Sequence, residues 1–263
     1  MIRDLFIKLT KETHPYKDRH NSNLMSNVPV ELNRDIWGNY WYKIGKSKNM
    51  FTCHIDTAGE KSRVNHKIKR KDDKEFVCTD GTTVLGADDK AGMVVLINMI
   101  QNEMPGLYYF FQGEEEGGKG SKAVADNFYN LGHTEGIERV ISFDRKGYTS
   151  IITHQMSVRC CSDEYADKLV MSFANHGLAM EKDPTGRLSD SMSFFNIPEI
   201  CEITNISVGY FNEHTNAEYQ DITFLEKLVK TVCRIDWDSL SPVTHVRESY
   251  LIREFSQFMQ NRK

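Results

Sequence analysis

The chain has little of what marks extracellular, membrane or nucleic-acid-binding proteins. Its six cysteines form no CxxC pair, so the spacing of a cysteine zinc site is missing. At 263 residues it can bury a real core without a disulfide framework. The expectation is six reduced thiols, four of them beside apolar or β-branched residues. Neither sign of charge dominates: 33 basic and 37 acidic residues give a net charge of −4. Such a balance supplies no general field for nucleic acid or an anionic membrane. The longest apolar stretch, Ala91 to Ile100, is half a membrane span. The start of the chain carries charges throughout and lacks a signal-peptide core. We therefore expect a cytoplasmic protein with no nucleic-acid or membrane partner. There are only six prolines, no linker rich in Pro, Gly or Ser, and no internal repeat. Lysines and arginines cluster at Lys67, Lys69, Arg70 and Lys71, but Asp72, Asp73 and Glu75 follow at once, which reads as a solvated hairpin.

What remains is an ordinary globular composition, 40% hydrophobic and 27% charged, with a clear alternation of elements. Ile2, Leu5, Phe6 and Leu9 have helical spacing. Strands are expected at Asn39–Gly45, Asn49–His54, Phe76–Thr79, Leu107–Phe111, Arg139–Phe143 and Ile200–Ile206. Helices are expected at Asp89–Asn102, Ser121–Asn130, Ser162–Asn175, around Phe224–Val232, and last around Leu251, Phe255, Phe258 and Met259. Strands alternating with helices point to a layered α/β fold around a buried sheet.

Five polar clusters stand at the ends of these strands or in the loops after them: His54-Ile-Asp56, Gly86-Ala-Asp-Asp-Lys90, Glu114-Glu-Glu-Gly-Gly118, Asp144, and Glu213-His-Thr215. Strand ends are where α/β sheets place ligands. Each cluster alone is a weak signal. In a strand, residues i and i+2 share a face, so His54 can bind a metal while Asp56 supports its ring. Asp88-Asp89 precedes an apolar helix, where aspartate commonly caps free N–H groups; a carboxylate there can also bridge two ions. Three consecutive glutamates after a buried strand repel one another unless cations are near. One can bind metal while its neighbour reaches a reacting water. Asp144 alone reads as a turn residue, and His214 as a loop histidine.

Taken together and in this order, the clusters resemble the co-catalytic zinc exopeptidases, the group containing peptidase T and the single-domain zinc aminopeptidases. The similarity is carried by Cys53-His-Ile-Asp-Thr57, Leu85-Gly-Ala-Asp-Asp-Lys-Ala-Gly92, Glu115-Glu-Gly-Gly-Lys-Gly120, Ser142-Phe-Asp144 and Glu213-His-Thr215. The resemblance implies that His54, Asp88, Glu116, Asp144 and His214 are metal ligands, with Asp88 as the bridge. It also implies that Glu115 is the general base and that Asp56 supports His54. Glu115-Glu116 is then the working pair and Glu114 an extra residue; a shift of one would make Glu114 the base. The fold implied is a three-layer α/β/α sandwich around a central mixed, mostly parallel sheet. Residues 1–263 would form a single metallopeptidase catalytic domain.

Spacing bears on that domain. His54 and Asp88 are 34 residues apart, and Asp144 and His214 are 70 apart. The first gap holds only a hairpin. The second holds one or two strand–helix units, not a lid domain of ordinary size. Gly186-Arg-Leu-Ser-Asp190 also resembles a segment of the single-domain aminopeptidases, with Asp190 either shaping the site or lying in a surface turn. The implied activity is hydrolysis of a terminal peptide bond using two divalent ions, zinc first, with cobalt or manganese as replacements. An aminopeptidase leads. N-acyl amino acid deacylation and a carboxypeptidase reaction use the same metal chemistry, and would need Arg145, Lys146 or Arg187 to read a carboxylate. A non-catalytic binding protein on the same fold is the remaining class. Tyr210, Arg145 and Lys146 are candidate oxyanion donors.

Overall fold

The computed structural model of the chain describes residues 2–240. The expected last helix around Leu251 to Met259 lies outside them. The strands are β1 (Asn33–Arg34), β2 (Tyr40–Ile44), β3 (Asn49–His54), β4 (His66–Lys71), β5 (Lys74–Thr79), β6 (Gly106–Phe111), β7 (Arg139–Arg145), β8 (Ser150–Ile152), β9 (His154–Gln155), β10 (Val158–Arg159), β11 (Glu181–Asp183), β12 (Glu202–Ser207), β13 (Tyr210–Phe211) and β14 (Tyr219–Asp221). The helices are α1 (Ile2–Leu9), α2 (Asn21–Met25), α3 (Ala87–Gln101), α4 (Lys119–Asp126), α5 (Asp163–Asn175) and α6 (Ile222–Val232), with short 3₁₀ turns between them.

Eight strands form the main sheet in the order β1-β2-β6-β3-β7-β12-β8-β11. Its centre, β6-β3-β7-β12, is parallel, and β2 and β8 run antiparallel to their central neighbours. Central strands buried on both faces need apolar side chains in both directions. In β6, Leu107, Tyr109 and Phe111 enter one apolar cluster while Tyr108 and Phe110 enter the other. Helices α1, α3, α5 and α6 cover the second face; α4 and the 3₁₀ turns at Phe128–Asn130 and Asp190–Phe194 cover the first. Helix α3 is buried on nearly all sides, as a helix apolar all round must be. No helix among the described residues is long and apolar enough to cross a membrane. All six cysteines are free, and Cys53, Cys78, Cys160 and Cys161 are buried.

The gap between His54 and Asp88 holds the β4–β5 hairpin, which joins β14 and β13 in a four-stranded antiparallel sheet. The basic run lies on exposed β4. The gap between Asp144 and His214 holds β8, α5, β11 and β12, all packed on or within the main sheet.

Two local features set where the polar loops meet. Gly86 has φ +73°, a conformation costly for other residues, and turns the chain into α3. A Cβ on Gly92 would overlap the Phe143 carbonyl oxygen, so glycine lets the start of α3 press against the end of β7. Asp88 is thereby brought to Asp144.

Candidate metal centre

The polar clusters converge at the carboxyl ends of the four parallel central strands, where such sheets place ligands. His54 ends β3 and is buried. Its Nδ1 lies 2.9 Å from the Asp56 carbonyl oxygen. A carbonyl only accepts, so Nδ1 carries a proton and Nε2 faces the acids. Nε2 is 2.9 Å from Asp88 Oδ1 and 3.6 Å from Asp144 Oδ1. The other Asp88 oxygen, Oδ2, is 3.2 Å from His214 Nε2, and that ring atom is 3.0 Å from Glu115 Oε1. Asp88 thus turns one oxygen to each histidine. Two groups of side chains with ligand atoms within 4.8 Å of one another result: His54, Asp88 and Asp144, and Asp88, Glu115 and His214.

The electrostatics follow from this crowding. Burial would raise the Asp88 carboxyl, but hydrogen bonds from His214 and His54 hold it below the usual carboxylate range. Burial would lower the His54 ring, yet Asp144 and Asp88 hold it well above its ordinary value. The Asp88 and Glu115 carboxylates push His214 up to about 10. Burial pushes Asp144 up to about 6 and Glu114 up to about 9. Glu115 Oε1 is buried, with His214 Nε2 beside it. Each group supplies one imidazole and two carboxylate oxygens and leaves room for a further ligand. That donor set fits a zinc-type divalent ion, and the concentration of buried carboxylates calls for cations.

The glutamates stand one residue away from the expected register. Glu116 does not join the cluster: its side chain is 55% exposed and pairs with Lys119 Nζ at 3.3 Å on the first turn of α4. Glu115 occupies the place expected of Glu116. Glu114 lines the cavity over the acids and histidines, the place expected of Glu115. The cause is Asp56, whose carboxylate accepts the N–H groups of Gly113 (2.8 Å), Glu114 (3.2 Å) and Glu115 (3.1 Å). That pins the turn and decides which glutamate points inward. Asp56 meets the His54 ring through its main chain. Its Oδ1 is 3.7 Å from His54 Nδ1; its main-chain oxygen orients the ring, and its carboxylate holds the glutamate loop.

Several further residues support the site. Asp89 accepts from the His54 N–H at 3.2 Å and the Gly92 N–H at 2.9 Å. Lys90 is buried and donates to the Ile55 carbonyl at 2.6 Å; burial lowers it to about 8. Asn205 Oδ1 accepts the Asp144 N–H, and the Tyr210 hydroxyl donates to the Asp144 carbonyl at 2.8 Å. Glu218, unmarked by any motif, binds the loop that carries Asp88. Asp190 is buried rather than in a surface turn, and neither of its oxygens has a hydrogen-bond partner.

The cavity over the cluster measures about 280 Å³ and is lined by Asp88, Glu114, Asp144 and His214 with Arg145, Lys146 and Arg187. Arg145 reaches Asp183 and Thr185, and Lys146 pairs with Glu213 at 2.5 Å. A larger hollow of about 640 Å³ lies at the opposite ends of the strands, near Phe128, Ile137 and Cys201. Among the described residues, both ligand-type groups lie beneath the smaller cavity.

Solved structures share this arrangement of elements. Aminopeptidase PepT from Bacillus cereus superimposes with a TM-score of 0.69 at 15% identity, covering 88% of this chain and 96% of that one. The fold is that of these peptidases. An aminopeptidase from the archaeon Desulfurococcus kamchatkensis gives 0.68 at 14% identity, over 93% of this chain and 98% of that one. The Pyrococcus horikoshii TET1 peptidase, which can assemble into a tetrahedron or a large octahedral shell, gives 0.68 at 16% identity, over 88% and 98%. No protein-family profile matches the chain. One curated relative, the uncharacterized protein YqjE of Bacillus subtilis, is 38% identical over 81 residues. That match spans 28% of this chain and 21% of the relative.

Proposed function

We propose that the chain is a dinuclear-metal aminopeptidase, a single catalytic domain that hydrolyses the amino-terminal bond of a peptide. The observation that carries this reading is the pair of ligand groups sharing Asp88 beneath a cavity that also holds Glu114. In this reading His54, Asp88 and Asp144 hold one ion; Asp88, Glu115 and His214 hold the other. Zinc suits the mixed imidazole and carboxylate set, with cobalt or manganese as replacements. When bound, two divalent ions acidify water and polarise the scissile carbonyl.

Glu114 is the general base. Burial, with the Asp144, Asp190 and Asp88 carboxylates near it, pushes its carboxyl up to about 9 and keeps it protonated at neutral pH. Two divalent charges nearby favour the ionised form, which brings it toward the range where a carboxylate can take a proton from water and return it to the leaving amine. Asp56 fixes Glu114 and Glu115 together through their N–H groups. Tyr210 supports Asp144 from behind.

The direct test is a substrate panel with added zinc, cobalt or manganese. A free-amine leucine anilide should be cleaved, its N-acetyl counterpart should not, and a chelator should stop the reaction. Cleavage of an N-acyl amino acid with the free-amine substrate untouched would overturn the aminopeptidase reading. That outcome is the second reading, a deacylase or carboxypeptidase-type amidohydrolase, favoured by Arg145, Lys146 and Arg187 on the cavity wall.

Metal uptake should also release protons. His54 is held well above its ordinary value and His214 at about 10, so both rings are protonated at pH 7. Ligand nitrogens must be neutral. At least two protons should therefore leave per chain on loading, and metal affinity should rise with pH. Calorimetry in buffers of different ionisation enthalpy measures this; a pH-independent affinity would contradict it.

A further inference from the structure

The loop that carries Asp88 and the loop that carries His214 come from distant parts of the sequence, and one buried carboxylate joins them. Glu218 is 1% exposed. Its Oε2 accepts the N–H groups of Leu85 at 2.7 Å and Gly86 at 2.8 Å, and its Oε1 accepts the N–H of Asp88 itself at 3.0 Å. Three N–H groups converging on one carboxylate form an anion-binding nest, and charge-assisted bonds of this kind are among the stronger ones. Burial pushes the Glu218 carboxyl up to about 7, while these three N–H groups favour its charged form.

Glu218 stands four residues after His214. The segment between them is closed on itself. The Thr215 hydroxyl donates to the Asn212 carbonyl, the Glu218 N–H donates to the Thr215 carbonyl, and Asn212 Nδ2 donates to the Ala217 carbonyl. His214 itself has φ +62° and is 49% exposed at its side chain. Its ring is therefore placed by the loop and not by packing. Beyond Glu218, β14 is paired to β5.

We infer that Glu218 is a positioning residue that sets the distance between Asp88 Oδ2 and the His214 ring, and so the geometry of the Asp88, Glu115 and His214 group. The two groups do not depend on it equally. His54 and Asp144 sit on β3 and β7 at the centre of the sheet, and only Asp88 links them to Glu218. In the other group Asp88 and His214 are both tied to Glu218, one through its own N–H and one through its loop. Loss of Glu218 therefore weakens the ion held by His214 more than the ion held by His54 and Asp144.

This inference rests on the dinuclear reading, and the test separates the two. Zinc is titrated calorimetrically into the full metal-free chain, with His214→Ala and Asp144→Asn identifying which binding event belongs to which ion. Glu218→Gln keeps the size of the side chain but replaces one accepting oxygen with an NH₂ group, which cannot accept from a main-chain N–H. It should weaken the His214-dependent event by about 10–100-fold, the usual effect of losing a partner that orients a ligand. The other event should change several-fold at most. Glu218→Asp, which draws the carboxylate back by one methylene, should do the same more mildly, and provides the reading if Glu218→Gln does not fold. Equal losses at both events, or wild-type affinities at both, would overturn the inference. A wild-type chain that binds fewer than two ions would overturn the dinuclear reading and the inference with it.

Discussion

Glu114→Gln should lower kcat by about 10²–10⁴-fold, the usual loss when a general base is removed, while both ions stay bound. The amide is nearly isosteric and cannot take the proton. Little change in KM is expected where substrate release outpaces chemistry. Its neighbours should respond differently. Glu115→Gln puts a neutral amide against His214 Nε2, which is now 3.0 Å from a carboxylate oxygen, so metal content should fall along with activity. Glu116→Gln removes only an exposed contact with Lys119, and surface pairs of this kind contribute little, so it should be nearly silent. Activity and metal content measured on the same samples read the register directly. An inactive, metal-poor Glu116→Gln beside a fully active Glu114→Gln would restore the register expected from the sequence.

Asp88→Ala should have the broadest effect, because Asp88 alone belongs to both ligand groups. With it gone, His54 and His214 no longer share an anchor, and each group keeps two of its three side chains. Activity should fall to background and neither ion should bind tightly. Binding to the folded state alone raises stability by about 2.7 kcal/mol at a hundredfold excess over Kd. Zinc should therefore raise the melting temperature of the wild type and leave that of Asp88→Ala unchanged. A zinc-dependent shift that survives the substitution would show that the ions are held elsewhere.

The periodic elements were legible because tertiary packing agrees with local pattern. Asn49–His54 and Gly106–Phe111 are buried over their whole lengths and lie at the sheet centre. Helix α6 shows its apolar spacing and starts on Asp221, whose carboxylate accepts the Phe224 N–H at 2.8 Å. Short strands such as Ser150–Ile152, Glu181–Asp183 and Tyr219–Asp221 carry no such signal. They are strands because of what they pair with, and three residues hold too little pattern to say so.

In the candidate site, the convergence of His54, Asp88, Asp144 and His214 was legible from the order of their motifs: His54 and Asp144 lie at strand ends, Asp88 opens α3 and His214 stands in a loop. The glutamate register was not. Three identical side chains at a strand end offer no internal reference, and the choice is made by Asp56, distant in sequence, through three N–H groups. One local sign was present: Lys119 stands three residues after Glu116, the spacing of a surface pair at the start of a helix. Glu218 was missed for a related reason. A carboxylate that binds main-chain N–H groups leaves no partner side chain for a motif to show.

The most direct test of the account is anomalous diffraction at the zinc edge from crystals grown with zinc. Two peaks per chain are predicted, one against His54 and Asp144 and one against Glu115 and His214, with Asp88 between them. No peak in this cavity, a single peak, or a peak contacting Glu116 in place of Glu115 would contradict it.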